Sequence, residues 1–168
     1  VQSDLSLIDR VQPDLVVSDM RMSLNVSAQL ARIEYWNILS GYMTRYYAAK
    51  EIAPETFPLF RLLGTSASAW IFPWLKPVVL RRFAVGFNRY RQSQGLEPVR
   101  DVLDVMESPY MNLVADLPAY APCADLPTNF RYIGPLIWEP NTKPPSWLDE
   151  IDSNRRTTYV TLGSTGDA

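Results

Sequence analysis

The chain has 168 residues, of which 47% are hydrophobic and 20% are charged, with 16 Lys and Arg against 18 Asp and Glu. This composition is ordinary for a globular protein and excludes a disordered tail, a collagen-like fibre and a small disulfide-stapled module. The formal net charge of −2 argues against a general nucleic-acid-binding protein, since such proteins usually carry a strongly basic face. The sequence contains no histidine, so a site that needs an imidazole must receive it from elsewhere.

The first forty residues predict a strand–helix–strand unit. Apolar residues at helical spacing predict an opening helix, which Pro13 closes because the residue before a proline is disfavoured in a helix. Residues 14–18 (DLVVS) form a short apolar run typical of a strand buried on both faces, and a helix over 23–33 and a strand over 35–39 follow. This unit has the length of a βαβ crossover. The predicted fold is therefore α/β, with a Rossmann-like parallel sheet and flanking helices.

The segment between Glu55 and Glu97 differs from the rest of the chain because it contains no acidic residue. Its six basic residues are Arg61, Lys76, Arg81, Arg82, Arg89 and Arg91. Within it, residues 69–80 form a strongly apolar run of only 12 residues. This run is too short to cross a membrane, since a spanning helix needs about 20 apolar residues.

Two interpretations of residues 69–91 stay open. In the first, the segment makes a peripheral membrane or lipid-binding module, with its tryptophans in the acyl boundary and its arginines at the headgroups. In the second, a pair of short helices covers the sheet and lines a pocket, with the arginines in water. We favour the second interpretation because Pro73 and Pro77 interrupt a continuous amphipathic helix.

The second half of the chain continues the alternation and then becomes proline-rich. A helix is predicted over 99–106 and a buried strand over 110–115. In the proline-rich passage, residues 130–138 predict a short strand that a Gly-Pro turn ends. A capped helical turn is expected to begin at Ser146, and residues 157–162 predict a new strand.

Both ends of the chain suggest an internal piece of a longer protein. The opening helix is already in progress at the first residues, and the chain stops in a glycine-containing turn after a β-branched run. The alternative is a complete small domain with ragged ends. The single cysteine, Cys123, matches a reducing compartment, so the expected location is the cytoplasm, with membrane association under the first interpretation of 69–91.

Three segments in this order resemble nucleotide-sugar glycosyltransferases of the two-domain GT-B type, in the UDP-glycosyltransferase superfamily. They are residues 13–31 (PDLVVSDMRMSLNVSAQLA), 131–140 (RYIGPLIWEP) and 157–168 (TTYVTLGSTGDA). The resemblance implies three parts. Residues 1–140 would form the C-terminal part of an acceptor-binding domain, residues 141–156 an interdomain linker, and residues 157–168 the first strand and turn of a donor-binding domain.

The resemblance also implies the chemistry. The full-length protein would transfer a sugar, with inversion, from a nucleoside diphosphate donor, expected to be a UDP-sugar, to a hydroxyl of a small-molecule or lipid acceptor. The nucleotide sugar is a co-substrate, and no further cofactor is expected. No metal is expected either, because no suitably spaced carboxylate pair lies beside the donor turn. The family's base is a histidine in the first loop of the acceptor domain, so this chain alone is expected to be inactive.

Asp19 is the candidate catalytic residue. It lies in VVSDM, where many members of the family place an aspartate that orients the base histidine. A carboxylate at the carboxyl end of a parallel strand faces the crevice where α/β sheets bind ligands, and it can hold an imidazole in one tautomer. The alternative is that Asp19 caps the following helix or pairs with Arg21. Arg21 departs from the apolar residue usual in the family.

The donor-side candidates are Gly163, Ser164 and Thr165. Glycine permits a tight turn close to a ligand, and successive backbone N–H groups and hydroxyls can receive phosphate oxygens. An ordinary strand-to-helix turn is the alternative. The family's main nucleotide-binding motif lies further downstream and is not in this sequence.

Three polar residues in and after the second predicted strand are acceptor-pocket candidates: Asn37, Ser40 and Tyr42. Their side chains could line the pocket or only satisfy the loop backbone. A transferase-like scaffold without activity is a further alternative, which a missing histidine in the first loop of the full-length protein would reveal.

Overall fold

Four short strands form one parallel sheet in the order β1–β2–β3–β4. The strands are β1 (Leu15–Asp19), β2 (Glu34–Leu39), β3 (Met111–Val114) and β4 (Phe130–Tyr132). The computed structural model describes residues 1–49, 58–139, 141–152, 154–158 and 160, and for residues 58–63 and 65 it describes the backbone. The predicted α/β class with a parallel, Rossmann-like sheet is confirmed.

Helices flank this sheet. They are α1 (Gln2–Val11), α2 (Leu24–Ala31), α3 (Pro58–Ser93) and α4 (Val102–Met106). Short 3₁₀ turns are formed by Gly41–Met43 and Ser146–Glu150. None of the helices in the described parts of the chain combines the length and apolar character that a bilayer span requires.

Two apolar clusters hold these elements together. The first joins α1 and α2 to the sheet through Ile8, Val16, Leu24, Ala28, Ile33 and Tyr35. The second joins β2, β3 and β4 through Leu39, Val114 and Phe130, against which Met20, Tyr46, Leu126 and Tyr132 pack. Alternate residues of β2 and β3 are buried, as expected for strands with one face against a core.

The prediction that the first strand is buried on both faces is wrong. In the described sheet, β1 lies at an edge and pairs with β2 on one side. Ser18 is its buried residue, whereas Leu15 and Val17 are exposed, Val17 to 50%. Its apolar sequence is therefore typical of a central strand although its position is that of an edge strand.

The prediction that residues 69–91 form a pair of short helices over the sheet is also wrong. Helix α3 continues through Pro73 and Pro77, and its backbone leaves helical angles at Gly64, where φ is 72°. Both prolines are exposed, so water can satisfy the carbonyls whose N–H partners they remove. Helix α3 packs mainly against α4.

The chain divides into two compact units, Val1–Leu136 and Ile137–Ala168. The strand predicted over 130–138 ends at Tyr132, and Gly134 then adopts a φ of 78°. In the second unit, the N-cap of the 3₁₀ turn is Pro145 rather than the predicted Ser146. Of the strand predicted over 157–162, the described residues have no regular structure, and the others lie outside the described residues.

Candidate functional site

The carboxyl ends of the parallel strands bring polar side chains to one edge of the sheet. Asp19 ends β1 opposite Ile38, and Ser40 and Tyr42 follow the end of β2. The third strand ends at Val114 and is followed two residues later by Asp116. Because ligands of open α/β sheets bind outside the carboxyl ends of the strands, this edge is the candidate site.

Asp19 has an open carboxylate. Its side chain is exposed, and among the described residues it makes no hydrogen bond or ion pair. It lies at one end of a groove of about 640 Å³ between α1 and β1, which is lined mainly by apolar side chains. The carboxylate is therefore free to receive a hydrogen bond from a group outside this part of the chain.

The structure does not show the two alternative roles of Asp19, which were pairing with Arg21 and capping the following helix. The Arg21 guanidinium lies on Asp4 instead, with Nη2 2.7 Å and Nε 2.8 Å from Oδ1. The N-cap position of α2 belongs to Ser23, and no side chain caps that helix. Asp19 therefore neither pairs with Arg21 nor caps the following helix.

Asp4 is the buried centre of this arrangement. Its carboxylate is 6% exposed and also receives hydrogen bonds from Ser23 Oγ at 2.6 Å and Ser27 Oγ at 3.1 Å. Burial raises the pKa of Asp4, but the hydrogen bonds from Ser23, Arg21 and Ser27 outweigh it and keep the pKa below its ordinary value. The ionised carboxylate thus ties α1 to the loop after β1.

Met20 separates Asp19 from Arg21 in a backbone conformation that is costly for its residue type. Its φ is 46°, in the left-handed region, while its N–H donates to Ile38 O at 3.2 Å and its side chain packs in the second apolar cluster. Such strain costs on the order of 1–2 kcal/mol and is frequent at functional sites. This turn of the backbone separates the side chains on its two sides. Asp19 remains at the carboxyl end of β1, whereas Arg21 contacts Asp4.

Asp116 and Gly41 connect the loops that follow β2 and β3. The Gly41 N–H donates to Asp116 Oδ2 at 2.7 Å. A side chain at Gly41 would place Cβ 3.0 Å from Ala121 Cβ and 3.2 Å from Cys123 Sγ, so its neighbours would have to move by a few tenths of an ångström to admit it. This contact fixes the loop that carries the exposed Tyr42.

Asp116 is not among the site residues predicted from the sequence. The signal was nonetheless present, because Asp116 follows an apolar strand much as Asp19 ends the first one. Its partner, Gly41, lies 75 residues away.

Asn37 does not lie at this edge. It is buried in β2, where its Oδ1 accepts from Ser18 Oγ at 2.6 Å and its Nδ2 donates to Met106 O. Its amide is used between strands and α4, which favours a structural role. The other two acceptor-pocket candidates, Ser40 and Tyr42, lie with Asp19 at the carboxyl ends of the strands. The donor-side candidates Gly163, Ser164 and Thr165 lie outside the described residues.

Several curated proteins resemble this chain. It is 35% identical over 172 residues to a PGL/p-HBAD biosynthesis rhamnosyltransferase of Mycobacterium bovis, which covers 99% of the chain and 37% of the relative. It is 32% identical over 167 residues to a PGL/p-HBAD biosynthesis glycosyltransferase of Mycobacterium tuberculosis, over 99% and 39%. A Mycobacterium bovis protein named as an inactive PGL/p-HBAD biosynthesis glycosyltransferase matches at 32%, over 99% and 45%.

The chain thus resembles proteins named as glycosyltransferases along nearly its whole length, and it spans about two fifths of the length of each of these relatives. No protein-family model matches it. The relative named as inactive and one named without that word have the same identity to the chain, so the resemblance of this segment does not separate active from inactive proteins.

Proposed function

We propose that this chain is part of a longer inverting glycosyltransferase, which moves a sugar from a nucleoside diphosphate, expected to be UDP, to an acceptor hydroxyl. The observation that carries the proposal is the 32–35% identity, over 99% of the chain, to proteins named as glycosyltransferases. Since the chain spans about two fifths of them, the proposal concerns the longer polypeptide. That polypeptide would have the two-domain GT-B architecture and act, like these relatives, in PGL/p-HBAD biosynthesis.

The open edge of β1 supports the longer polypeptide. The strand has the sequence of a central strand, yet its outer edge and the groove beside α1 leave Leu15 and Val17 in contact with solvent. An unpaired apolar edge strand is a site for pairing with further chain. We therefore place more of the acceptor domain against β1, and with it the base histidine that these 168 residues do not contain.

In the proposed mechanism, Asp19 is a positioning residue. The histidine takes the proton of the acceptor hydroxyl as the hydroxyl attacks the sugar, and Asp19 holds the imidazole tautomer and stabilises the imidazolium. The unpartnered carboxylate at the strand end supports this role. Donors that stabilise the departing diphosphate belong to the donor domain, where Gly163, Ser164 and Thr165 are the candidates in this chain.

The acceptor side of the proposed site is the edge formed by the loops after β2 and β3. Ser40 and Tyr42 would contact the acceptor, and the hydrogen bond from Gly41 to Asp116 would hold their loop in place. A small molecule or a lipid with a free hydroxyl is the proposed acceptor class, and the cytoplasm is the proposed location.

The experiment is a turnover assay on the full-length protein. Release of nucleoside diphosphate from UDP-sugars is measured with hydroxyl acceptors, including phenolic and lipid ones, and the product is identified by the mass of one added sugar. The expected result is transfer by the full-length protein and none by the 168-residue chain. A full-length protein without a histidine in its first acceptor-domain loop, and without turnover, would instead be an inactive scaffold.

A further inference from the structure

The outward face of α3 is apolar over one part of its length and basic over the next. Trp70, Trp74 and Val78 are spaced by four residues and therefore lie along one side of the helix. They are exposed to 75%, 77% and 59%. The stripe continues with the exposed Arg81 and Arg82.

The charged residues of α3 itself all have the same sign. From Thr56 to Leu96 the sequence has no acidic residue. Arg81, Arg82 and Arg89 are exposed, and none of the three has an ion-pair partner among the described residues. Tryptophans beside uncompensated cations are typical of the interfacial helices of peripheral membrane proteins.

The C-terminal part of α3 is fixed to the protein. Ala84 and Arg91 are buried, and the Arg91 guanidinium donates to Glu97 O at 2.8 Å and to Gln29 Oε1 at 3.2 Å. Asn88 exchanges two 2.8 Å hydrogen bonds with the backbone of Val99. Because these contacts anchor the helix, its tryptophans are presented to the outside without the helix having to leave its place.

We propose that this face of α3 docks on the surface of an anionic phospholipid bilayer. Trp70 and Trp74 enter the boundary between headgroups and acyl chains, while Arg81 and Arg82 contact the lipid phosphates. The proposal rests on the surface of α3 alone and does not depend on sugar transfer. If the full-length protein is a transferase, the same contact would bring its site to membrane-borne acceptors.

Charge complementarity favours an anionic bilayer, and not a second copy of the chain, as the binding partner of this face. Two copies meeting through this face would bring unpaired arginines against one another, which is unfavourable, whereas an anionic headgroup layer neutralises them. Each arginine near an anionic surface contributes roughly fivefold to the partition coefficient, and each buried tryptophan about tenfold or more.

The test is co-sedimentation of the full-length protein with lipid vesicles at low and high salt. One set of vesicles contains phosphatidylcholine alone, and the other contains phosphatidylcholine with phosphatidylglycerol. Binding is expected to the anionic vesicles and to weaken with salt, because surface charges are screened. The double variants Trp70→Ala/Trp74→Ala and Arg81→Gln/Arg82→Gln should each lose about tenfold or more in binding. Far-UV circular dichroism verifies that both variants are folded.

Matched controls use similar side chains elsewhere. Trp138→Ala removes a tryptophan that is 82% exposed in the other unit, and Arg10→Gln/Arg32→Gln removes two exposed arginines of the first unit. Both should bind like the wild type.

Absence of binding to anionic vesicles at low salt overturns the proposal, as does equal loss in variants and controls. Light scattering that shows a wild-type dimer, dissociated by the α3 variants without a change in vesicle binding, assigns the face to self-association instead. The readout is binding, so failure of the transferase proposal leaves this result unaffected.

Discussion

The guanidinium of Arg21 is bound by the buried carboxylate of Asp4, and this contact leaves Asp19 without a cationic partner in the described residues. The two aspartates lie on different elements and have opposite environments. Asp4 is enclosed by hydrogen-bond donors, whereas Asp19 is open at the carboxyl edge of the sheet. Removing Asp4 is therefore expected to affect stability, and removing Asp19 is expected to affect chemistry.

Asp4→Asn should destabilise the protein by about 1–3 kcal/mol, because the ion pair between the buried Asp4 carboxylate and the exposed Arg21 is lost and the hydrogen bonds from Ser23 and Ser27 are weakened. Urea denaturation measures the difference. Asp9→Asn is the control, since Asp9 is exposed on the same helix and its replacement should stay within about 0.5 kcal/mol. Equal stability of the two variants would contradict the structural role of Asp4.

The same carboxylate predicts a pH dependence. The pKa of Asp4 in the folded protein lies below its ordinary value of 3.8, so the stability that the ionised group contributes is complete above 3.8. That contribution is lost as the pH falls through the lower native pKa. The stability difference between wild type and Asp4→Asn should therefore shrink as urea denaturation is repeated at pH values below 3.8. A constant difference would contradict this assignment.

Glu107→Gln should stabilise the protein at neutral pH. Burial raises the pKa of Glu107 above its ordinary value of 4.5. The nearby carboxylates of Asp104 and Asp101 raise it further, and the charge of Arg45 offsets these effects only in part. Its Oε1 is buried without a hydrogen-bond partner among the described residues. Arg45 keeps two carboxylate partners after the substitution.

The raised pKa of Glu107 determines the pH range in which Glu107→Gln should stabilise the protein. An acid whose native pKa is raised favours folding below its unfolded pKa and disfavours it as the pH rises, so the advantage of Glu107→Gln should be present at neutral pH and vanish below 4.5. Thermal denaturation at several pH values measures it. Glu97→Gln is the control at an exposed position and should change the Tm little. A lower Tm for Glu107→Gln at neutral pH would refute the argument.

Gly41→Ala should destabilise the protein by about 1–3 kcal/mol, because its Cβ would lie 3.0 Å from Ala121 Cβ and 3.1 Å from Ala121 O. Gly86→Ala makes the same chemical change inside α3, where nothing lies within 4 Å, and should stabilise by about 0.5–1 kcal/mol. Opposite shifts in urea denaturation are the expected outcome. Shifts of the same sign would mean that the loop of Gly41 can yield.

Local patterns sufficed to predict the parallel sheet and most of its elements. Apolar runs of strand length and helical spacing depend on nearby residues, and the predicted strands 14–18, 35–39 and 110–115 therefore agree with the structure to within one residue at every end. The proline argument failed for α3, because exposed prolines on the outer side of a long helix are tolerated. The exposure of β1 was not predictable either, since it depends on which strands pair beside it.

The site was harder to predict because its contacts join distant residues. Arg21 is paired with Asp4, 17 residues away, and Gly41 with Asp116, 75 residues away. The sequence predicts Asn37 as a pocket residue because it is polar near a strand end, but only the fold shows that its amide is hydrogen-bonded to Ser18 and Met106. Asp19 could be selected from sequence because a carboxylate ending an apolar strand is itself a local pattern.

The most direct test of the account compares Asp19→Asn with Asp14→Asn in the full-length protein. Both substitutions remove an exposed carboxylate, one at the strand's carboxyl end and one just before its start. Asp19→Asn should lower kcat by about 10²–10⁴-fold with an unchanged Tm, and should move the acidic limb of the kcat/KM profile to lower pH, because the imidazole loses its carboxylate partner. Asp14→Asn should behave like the wild type. Sugar transfer at the wild-type rate and pH profile by Asp19→Asn would contradict the proposed site.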